Sequence, residues 1–308
     1  MKHFINLKDI NSKDLRKILI DAKKRKNKRK RLNTLQIDKD SPLKGKLLIQ
    51  MFEKSSLRTR LSFYLAIKQL GGGTLTLRSN ELHLGEGGET LEDTAKILST
   101  YGDGFMLRTD SDQKIERVKD SLSIPVINGL SPSSHPTQVL SDIFTVEEIK
   151  KKQISKLNVS WIGDSNNVLN SLIAASVKFN FILSIGCPKK YAPSKIVLNW
   201  VKKNNKKIQI YNDAKKAATN ADVIFADKVI SLNDKVNKKK KLSQFKNFKI
   251  TSKLMKYAKK DCIFLHCLPR GSEVEEKVFF SKQSKVWQQA LNRAVSYTHL
   301  RAHETDSY

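Results

Sequence analysis

Apolar residues near the start of the chain recur at the three- and four-residue spacing of an amphipathic helix. These positions are Leu15, Ile18, Leu19 and Ala22. Ser12 stands just before them and is predicted to cap the helix, because a serine side chain accepts hydrogen bonds from first-turn amides. The helix is expected to run out into the basic stretch at residues 23–31.

Beyond this helix, apolar runs of strand length alternate with segments of helical period such as residues 60–70. The predicted strands cover residues 46–52, 73–77, 105–107 and 124–127, and then 159–162, 181–185, 207–210, 223–225 and 262–265. This alternation is typical of parallel strands joined by crossover helices, and 308 residues suit two domains. The predicted fold is therefore α/β, with two domains that each hold a mostly parallel sheet flanked by helices, and an active-site cleft between them.

A predicted helix near residues 139–150 and the polar segment behind it separate the two series of strands. We place the first domain at residues 1–145 and the second at residues 146–285. Residues 286–293 are predicted to begin a C-terminal helix that returns to the first domain. The Lys-rich segment at 233–246 is too polar and too long for an ordinary connection, so it is predicted to be a lid or disordered.

Composition is in the usual range for soluble proteins, with 39% hydrophobic and 29% charged residues. Because no apolar run approaches the roughly 18 residues of a membrane span and the first residues lack a signal sequence, we expect a cytoplasmic protein without a membrane partner. The three cysteines, Cys187, Cys262 and Cys267, lack metal-ligand spacing. They are therefore expected to be reduced thiols, with no metal site.

The net charge of +28 suggests a nucleic-acid partner, but the type of basic residue argues against one. Only 12 of the 58 basic residues are Arg, whereas base recognition favours Arg and aromatic side chains. The dense runs at 23–31 and 238–241 are interpreted as solvated helix ends and loops. We expect no nucleic acid, although a nucleic-acid-binding protein is kept as an alternative, and a basic field could also steer a small anionic substrate.

Ligands of open parallel sheets bind beyond the carboxyl ends of the strands, so the residues that follow each strand are the first candidates. After the first strand, Ser55, Ser56, Arg58 and Thr59 lead directly into a predicted helix. Helix amides, hydroxyl groups and a guanidinium together can form a cradle for a phosphate or oxyanion. The alternative is a serine cap followed by ordinary surface arginines.

Two further junctions of the first domain carry groups suited to an anion or a carbonyl. Arg108 follows the third strand, and a single Arg there could equally be a surface salt-bridge partner. After the fourth strand, Pro136 fixes a helix start, so that His135 and Gln138 can each point a donor in the same direction. A simple capping turn would use the same residues.

Three junctions of the second domain carry polar or nucleophilic groups. The paired carboxamides of Asn166 and Asn167 follow the strand at 159–162. Asp227 follows the strand at 223–225, with Ser231 four residues later. Cys267 ends the last strand beside His266, where an acidic neighbour could help it to orient or deprotonate an amine; the alternative is a buried, inert thiol.

Taken together and in this order, these motifs resemble the aspartate/ornithine carbamoyltransferases over residues 1 to about 293. The family's Ser-Thr-Arg-Thr-Arg signature reads Ser56-Leu57-Arg58-Thr59-Arg60, and its His-Pro-x-Gln-x-Leu-x-Asp motif is intact at 135–142. His266-Cys267-Leu268-Pro269 matches the ornithine-type sequence, where the aspartate enzymes typically have His-Pro-Leu-Pro. The resemblance therefore implies transfer of a carbamoyl group from carbamoyl phosphate to ornithine, without a cofactor.

The resemblance also assigns roles by motif position. Carbamoyl phosphate would be bound in the first domain, with contributions from the second domain and from a neighbouring subunit, by Ser56, Leu57, Arg58, Thr59, His83, Arg108, His135, Gln138, Cys267, Leu268 and Arg293. Ornithine would be bound in the second domain by Asn167, Asp227, Ser231, Leu232 and Cys267. The residues implied to take part in catalysis are Arg108, His135, Asp227 and Cys267, and the family assembles as a homotrimer.

The chain departs from the family pattern at four places. Leu57 replaces a Thr, His83 stands where many relatives have Gln, and Leu232-Asn233 replaces Met-Gly beside the amino-acid site. Residues 294–308 do not resemble the family's final helix and are expected to be a non-native tail. The alternatives are therefore a carbamoyltransferase for N-acetylornithine, N-succinylornithine or putrescine, and an inactive homologue that binds carbamoyl phosphate.

Overall fold

The computed structural model describes residues 3–78, 90–204, 208–230 and 237–297. Within these ranges the predicted α/β class is confirmed, because the strands form two parallel sheets flanked by helices. The chain divides into two compact units. The first comprises Met1–Phe144 with Leu291–Tyr308, and the second comprises Thr145–Ala290. No helix in these four ranges is both long and apolar enough to cross a membrane.

The sheet of the first unit has the strand order β2-β1-β3-β4. Its strands are β1 (Leu47–Phe52), β2 (Gly73–Arg78), β3 (Gly104–Arg108) and β4 (Val126–Leu130). Phe52, the last residue of β1, lies opposite Arg78 on one side and Arg108 on the other. The carboxyl ends of these three strands therefore lie at one edge of the sheet.

Five helices accompany the first sheet. They are α1 (Ser12–Lys28), α2 (Leu57–Gln69), α3 (Leu91–Tyr101) and α4 (Asp112–Ser121), and α5 (Pro136–Lys150) continues into the second unit. One core cluster joins Ile49 and Met51 of β1 to Leu98 of α3 and Val118 of α4. The buried faces of α3 and α4 thus anchor the strands whose ends carry the candidate residues.

The start of α1 corrects one prediction. Asn11, and not Ser12, is the capping residue, and its side-chain oxygen accepts a 2.8 Å hydrogen bond from the backbone N–H of Lys13. Asn and Ser are similar in capping preference, so the two neighbouring positions could not be distinguished from sequence.

The sheet of the second unit has the order β7-β6-β5-β8-β9. Its strands are β5 (Asn158–Ile162), β6 (Ile182–Gly186), β7 (Ile208–Tyr211), β8 (Val223–Asp227) and β9 (Ile263–Cys267). Its helices are α6 (Asn167–Phe179), α7 (Lys195–Asn204), α8 (Ala214–Ala218), α9 (Lys238–Gln244), α10 (Ser252–Met255) and α11 (Glu276–Phe279). Short 3-10 turns also occur at Leu7–Asp9, Arg29–Arg31, Ile154–Lys156, Lys189–Tyr191 and Lys246–Phe248.

Part of the segment predicted to be a lid or disordered is helical. Residues 231–236 lie outside the described ranges, but α9 follows them, and the side-chain oxygen of Asn237 accepts from the N–H of Lys240 at its start. Phe245 and Phe248, directly after α9, are buried in the core of the second unit. These two aromatic anchors explain why a Lys-rich sequence is held in place here.

The last described helix, α12 (Val286–Tyr297), extends into the segment expected to be a non-native tail. Tyr297 is buried, and its ring centroid lies 4.4 Å from that of Phe63 on α2. Arg293 donates from Nε to the Tyr297 hydroxyl at 3.1 Å. At least the first four residues of that segment are thus helical, and one of them packs in the first unit.

Candidate active site

The start of α2 has the geometry of an anion cradle. Ser56 is the residue before the helix, and Leu57 is its first residue. The N–H groups of a first helical turn lack carbonyl partners within the helix, so they point at whatever lies before it. Among the described residues the Ser56 side chain makes no capping hydrogen bond to this turn, which is contrary to the simple serine-cap alternative. The side chain of Leu57 is 69% exposed.

Thr59 links groups from three separate parts of the first unit. Its hydroxyl oxygen accepts from Nη1 of Arg108 at 3.2 Å and from Nη2 of Arg293 at 2.9 Å. Arg293 also donates from Nη1 to the side-chain oxygen of Gln138 at 2.8 Å. Four residues predicted to meet carbamoyl phosphate therefore lie together, although they are far apart in sequence.

The charges of this cluster act on His135, which is 2% exposed. Burial lowers the pKa of His135 well below 6.5, and the positive charges of Arg293, Arg108 and Arg58 lower it further. The imidazole is therefore neutral near pH 7 and carries one N–H donor. A neutral donor among three guanidinium groups is suited to hydrogen-bond a carbonyl oxygen while the arginines meet an anion.

A carboxylate that the sequence did not single out supports this cluster from the end of β1. Glu53 accepts a 2.5 Å hydrogen bond from the hydroxyl of Thr109, the residue that follows Arg108. It also forms an ion pair with Lys114 on α4. Glu53 thus fixes the chain where β3 ends, and with it the backbone of Arg108.

In the second unit, Asp227 and Cys267 are the last residues of β8 and β9. They lie directly opposite each other in the parallel register. The predicted strand ended two residues before Asp227, whereas the observed strand β8 includes Asp227. A carboxylate and a thiol therefore share one sheet edge in neighbouring positions.

The Asp227 carboxylate is held by the turn that follows β5. Asn166 donates from Nδ2 to Oδ2 of Asp227 at 2.7 Å, while its Oδ1 accepts from the N–H groups of Val168 and Leu169 at the start of α6. Burial raises the pKa of Asp227 to about 6, with the opposing effects of His266 and the Asn166 hydrogen bond already included. The carboxylate is thus mostly ionised at pH 7 but protonates within about one pH unit below it, which suits a group that accepts protons or hydrogen bonds.

His266 is oriented by buried partners on both its ring and its backbone. Its Nε2 lies 3.0 Å from Oε1 of Glu273, and its backbone N–H donates to the side chain of Gln289 at 3.0 Å. Burial would raise the pKa of Glu273, but hydrogen bonds from His266 and the N–H of Gly271 lower it overall. Glu273 is an acidic neighbour of the kind that the sequence suggested near this strand end, whereas no motif points to Gln289.

The remaining predicted residues are placed as follows. Asn167 is the first residue of α6, and Leu268 follows β9 and is partly buried. His83, Ser231 and Leu232 lie outside the described residues. Within the part of the chain that the structure describes, no group of three His, Cys, Asp or Glu side chains could hold a metal ion.

Two family models match the chain and together span most of it. The model described as the carbamoyl-P binding domain of aspartate/ornithine carbamoyltransferase matches residues 2–148. The model described as the Asp/Orn binding domain of the same family matches residues 155–299.

Individual relatives agree with these models. An ornithine carbamoyltransferase of Agrobacterium fabrum is 39% identical over 294 residues, which cover 95% of this chain and 94% of the relative. One from Caulobacter vibrioides is 38% identical over 95% of this chain and 94% of the relative. Among solved structures, the ornithine carbamoyltransferase of Pyrococcus furiosus has a TM-score of 0.91 at 36% identity, covering 98% of this chain and 96% of that one. The anabolic enzyme of Campylobacter jejuni has a TM-score of 0.87 at 35% identity, covering 98% of each chain.

Proposed function

Because the chain belongs to the aspartate/ornithine carbamoyltransferase family, we propose that it transfers the carbamoyl group of carbamoyl phosphate to the δ-amine of L-ornithine, giving L-citrulline and phosphate. The observation that carries this proposal is the hydrogen-bonded cluster of Arg108, Thr59, Arg293 and Gln138, whose positive charges lower the pKa of the buried His135. Such a cluster suits a substrate that combines a phosphate with a carbonyl group. The names of the relatives and the sequence His266-Cys267-Leu268-Pro269 favour ornithine as the amine.

In the proposed mechanism, the first unit binds the acyl donor. The amides at the start of α2, the Ser56 hydroxyl and the Arg58 guanidinium hold the phosphate. Gln138 and Arg293 are paired with each other and contact the carbamoyl end and the phosphate. Carbamoyl phosphate is already an activated acyl donor, so the transfer uses no cofactor in this mechanism.

The second unit prepares the nucleophile. An alkyl amine has a pKa near 10.4, so it must lose a proton before it can attack at pH 7. Asp227 and Cys267, adjacent at the sheet edge, are the groups proposed to accept hydrogen bonds from this amine and to favour its neutral form. Asn167, Ser231 and Leu232 are proposed to receive the amino-acid backbone of ornithine.

Attack on the carbonyl carbon forms a tetrahedral oxyanion. Its collapse breaks the C–O bond to phosphate, and the leaving phosphate takes up the proton that the attacking nitrogen loses. Arg108, His135 and Thr59 are the donors proposed to stabilise that oxyanion, each contributing up to about 3 to 4 kcal/mol if well placed. Holding both substrates in register supplies a large further part of the rate enhancement. Phosphate leaves as an anion, still bound by Arg58 and the α2 amides.

We also propose that the protein is a homotrimer and that His83 is donated to the site of a neighbouring copy. Support comes from α2, where Leu57, Leu61 and Tyr64 form an exposed apolar stripe at i, i+4 and i+7. A stripe of this kind is suited to burial against a second copy. Native mass spectrometry tests the trimer, and a mass of three chains is expected.

We further propose a cytoplasmic location and a role in arginine biosynthesis.

A steady-state citrulline assay tests the proposed function. Ornithine should be carbamoylated, and N-acetylornithine, N-succinylornithine and putrescine should be much poorer acceptors. Arg58→Ala should abolish turnover, whereas Lys68→Ala, which removes an exposed cation from the same helix, should not. Preference for another amine would change the substrate assignment, and binding of carbamoyl phosphate without turnover of any amine would identify an inactive homologue.

A further inference from the structure

Lys241 differs from the other lysines of the basic run on α9. Lys238, Lys239 and Lys240 are exposed, whereas Lys241 is only 4% exposed. Lysine is almost never fully buried without a partner, because an isolated ammonium group loses its hydration. The position therefore requires specific contacts.

Two groups of the second unit meet the ammonium of Lys241. Oδ2 of Asp164 lies 2.5 Å from its Nζ, and the ring centroid of Tyr191 lies 5.5 Å away. The hydroxyl of Tyr191 in turn donates to the side chain of Gln244, at the end of α9, at 2.7 Å. Tyr191 thus holds the helix at two points, so the ammonium has a defined position.

Asp164 belongs to the short turn that leads from β5 to the amino-acid half-site. The turn opens at Gly163, whose φ of +148° strongly favours glycine. The carbonyl of Asp164 accepts from the indole N–H of Trp161 at 3.1 Å, and two residues later Asn166 binds Asp227. One end of the turn is therefore fixed by the strand and the other by Asp227, and the ion pair holds its middle.

We propose that Lys241 is a positioning residue for the amino-acid half-site. Its ammonium fixes the turn at residues 163–166 through Asp164. This fixed turn then orients Asn166 and, through it, the carboxylate of Asp227. The proposal rests on the proposed function for the identity of the amine. A buried ion pair adds little net stability compared with a well-packed apolar pair, which favours a role in placement.

Kinetics and binding of the full-length enzyme test the proposal. Lys241→Met keeps the aliphatic stem over Tyr191 but removes the charge, and it should raise KM for ornithine by about tenfold. The Kd for carbamoyl phosphate should stay within about twofold of native. Lys241→Arg should restore a near-native KM, and Lys239→Met, at an exposed position of the same helix, should have no effect.

A double variant separates placement from stability. Lys241→Met combined with Asp164→Asn removes the unpaired charge and should recover thermal stability, while KM for ornithine stays raised. A native KM in Lys241→Met, a native KM in the double variant, or an equal loss of affinity for carbamoyl phosphate would overturn the proposal.

Hydrogen exchange measures how well the turn is held in place, independently of enzymatic activity. The amides of Val168 and Leu169, which donate to Asn166, should exchange several-fold faster in Lys241→Met and at the native rate in Lys241→Arg. Native exchange in Lys241→Met would refute the positioning role. Absence of citrulline formation by the native protein would instead refute the proposed function, and the exchange result would still decide the role of Lys241.

Discussion

The carboxyl group of Asp227 is the group whose titration matters most for the proposed reaction. Burial raises its pKa from 3.8 to about 6, so it becomes ionised as pH rises through 6. Because the neutral amine already becomes rarer as pH falls, the effect of Asp227 is a change of slope: the plot of log kcat/KM for ornithine against pH should become steeper by one proton below about pH 6. His135 should add no limb near neutral pH, because its pKa lies well below 6.5. A slope that stays the same from pH 5 to 7 would contradict this assignment.

The same pKa predicts a cost in stability. Because the folded state binds this proton more tightly than the unfolded chain does, Asp227 contributes stability below about pH 4 that is lost as pH rises through about 6. Asp227→Asn should therefore be inactive yet more stable than native at pH 8, by about 3 kcal/mol, with most of the difference gone near pH 4. Urea unfolding at the two pH values measures it, and a variant less stable than native at pH 8 would be contrary to this account.

The buried side chain of Gln50 leads to a second prediction, which concerns only the stability of the fold. This β1 side chain is fully buried, and neither atom of its amide has a hydrogen-bond partner among the described residues. Gln50→Met should raise the free energy of unfolding by about 1 to 3 kcal/mol, because two unsatisfied polar groups are removed. Gln69→Met is the matched control, since the Gln69 amide donates to the carbonyl of Thr34 at 2.9 Å. Denaturant titrations should move in opposite directions for the two variants.

At the scale of elements, the N-terminal turn of α6 couples a helix cap to the candidate site. Asn166→Asp keeps the cap, because a carboxylate oxygen accepts from the same amides and favours the helix dipole. It also replaces the donor to Asp227 with a second negative charge. Folding stability at pH 8 should fall, because two adjacent carboxylates repel each other, and the acid limb of kcat/KM should move to higher pH, because a nearby like charge raises the pKa of Asp227. Asn166→Ser should move the limb less.

The elements themselves could largely be predicted, because periodicity and strand-length apolar runs reflect which faces are buried. Every predicted strand corresponds to a described strand, with ends that differ by at most three residues. The orders β2-β1-β3-β4 and β7-β6-β5-β8-β9 could not be predicted, because pairing depends on tertiary packing. The helix α9 was missed because its anchors, Phe245 and Phe248, lie beyond the polar run.

The candidate site was predictable where chemistry lies at strand ends and not where it depends on spatial neighbours. The rule that ligands lie beyond the carboxyl ends of parallel strands pointed to Arg108 and Asp227. It could not point to Glu53, Glu273 or Lys241, whose partners are brought to them only by folding. Motif resemblance supplied the roles, and the structure adds which side chains lie together.

At the scale of the whole molecule, the net charge of +28 predicts how substrates arrive. Carbamoyl phosphate is an anion, so a positive field should speed its encounter with the enzyme, and salt should screen that field. The value of kcat/KM for carbamoyl phosphate should fall several-fold between about 10 and 300 mM ionic strength. The value for ornithine, which carries a net positive charge, should not fall in parallel. A salt-independent rate for the anion would show that the charge does not steer it.

In the proposed mechanism the two substrates are bound by different units: the guanidinium cluster of the first unit binds carbamoyl phosphate, and Asp227 of the second unit acts on the amine. Calorimetric titration of carbamoyl phosphate into the native enzyme, Arg58→Ala and Asp227→Asn tests it most directly. We predict that Arg58→Ala weakens binding roughly 10- to 100-fold, because a charge-assisted contact is lost, while Asp227→Asn binds as the native enzyme does and forms no citrulline. Native affinity in Arg58→Ala, or an equal loss in Asp227→Asn, would contradict the account.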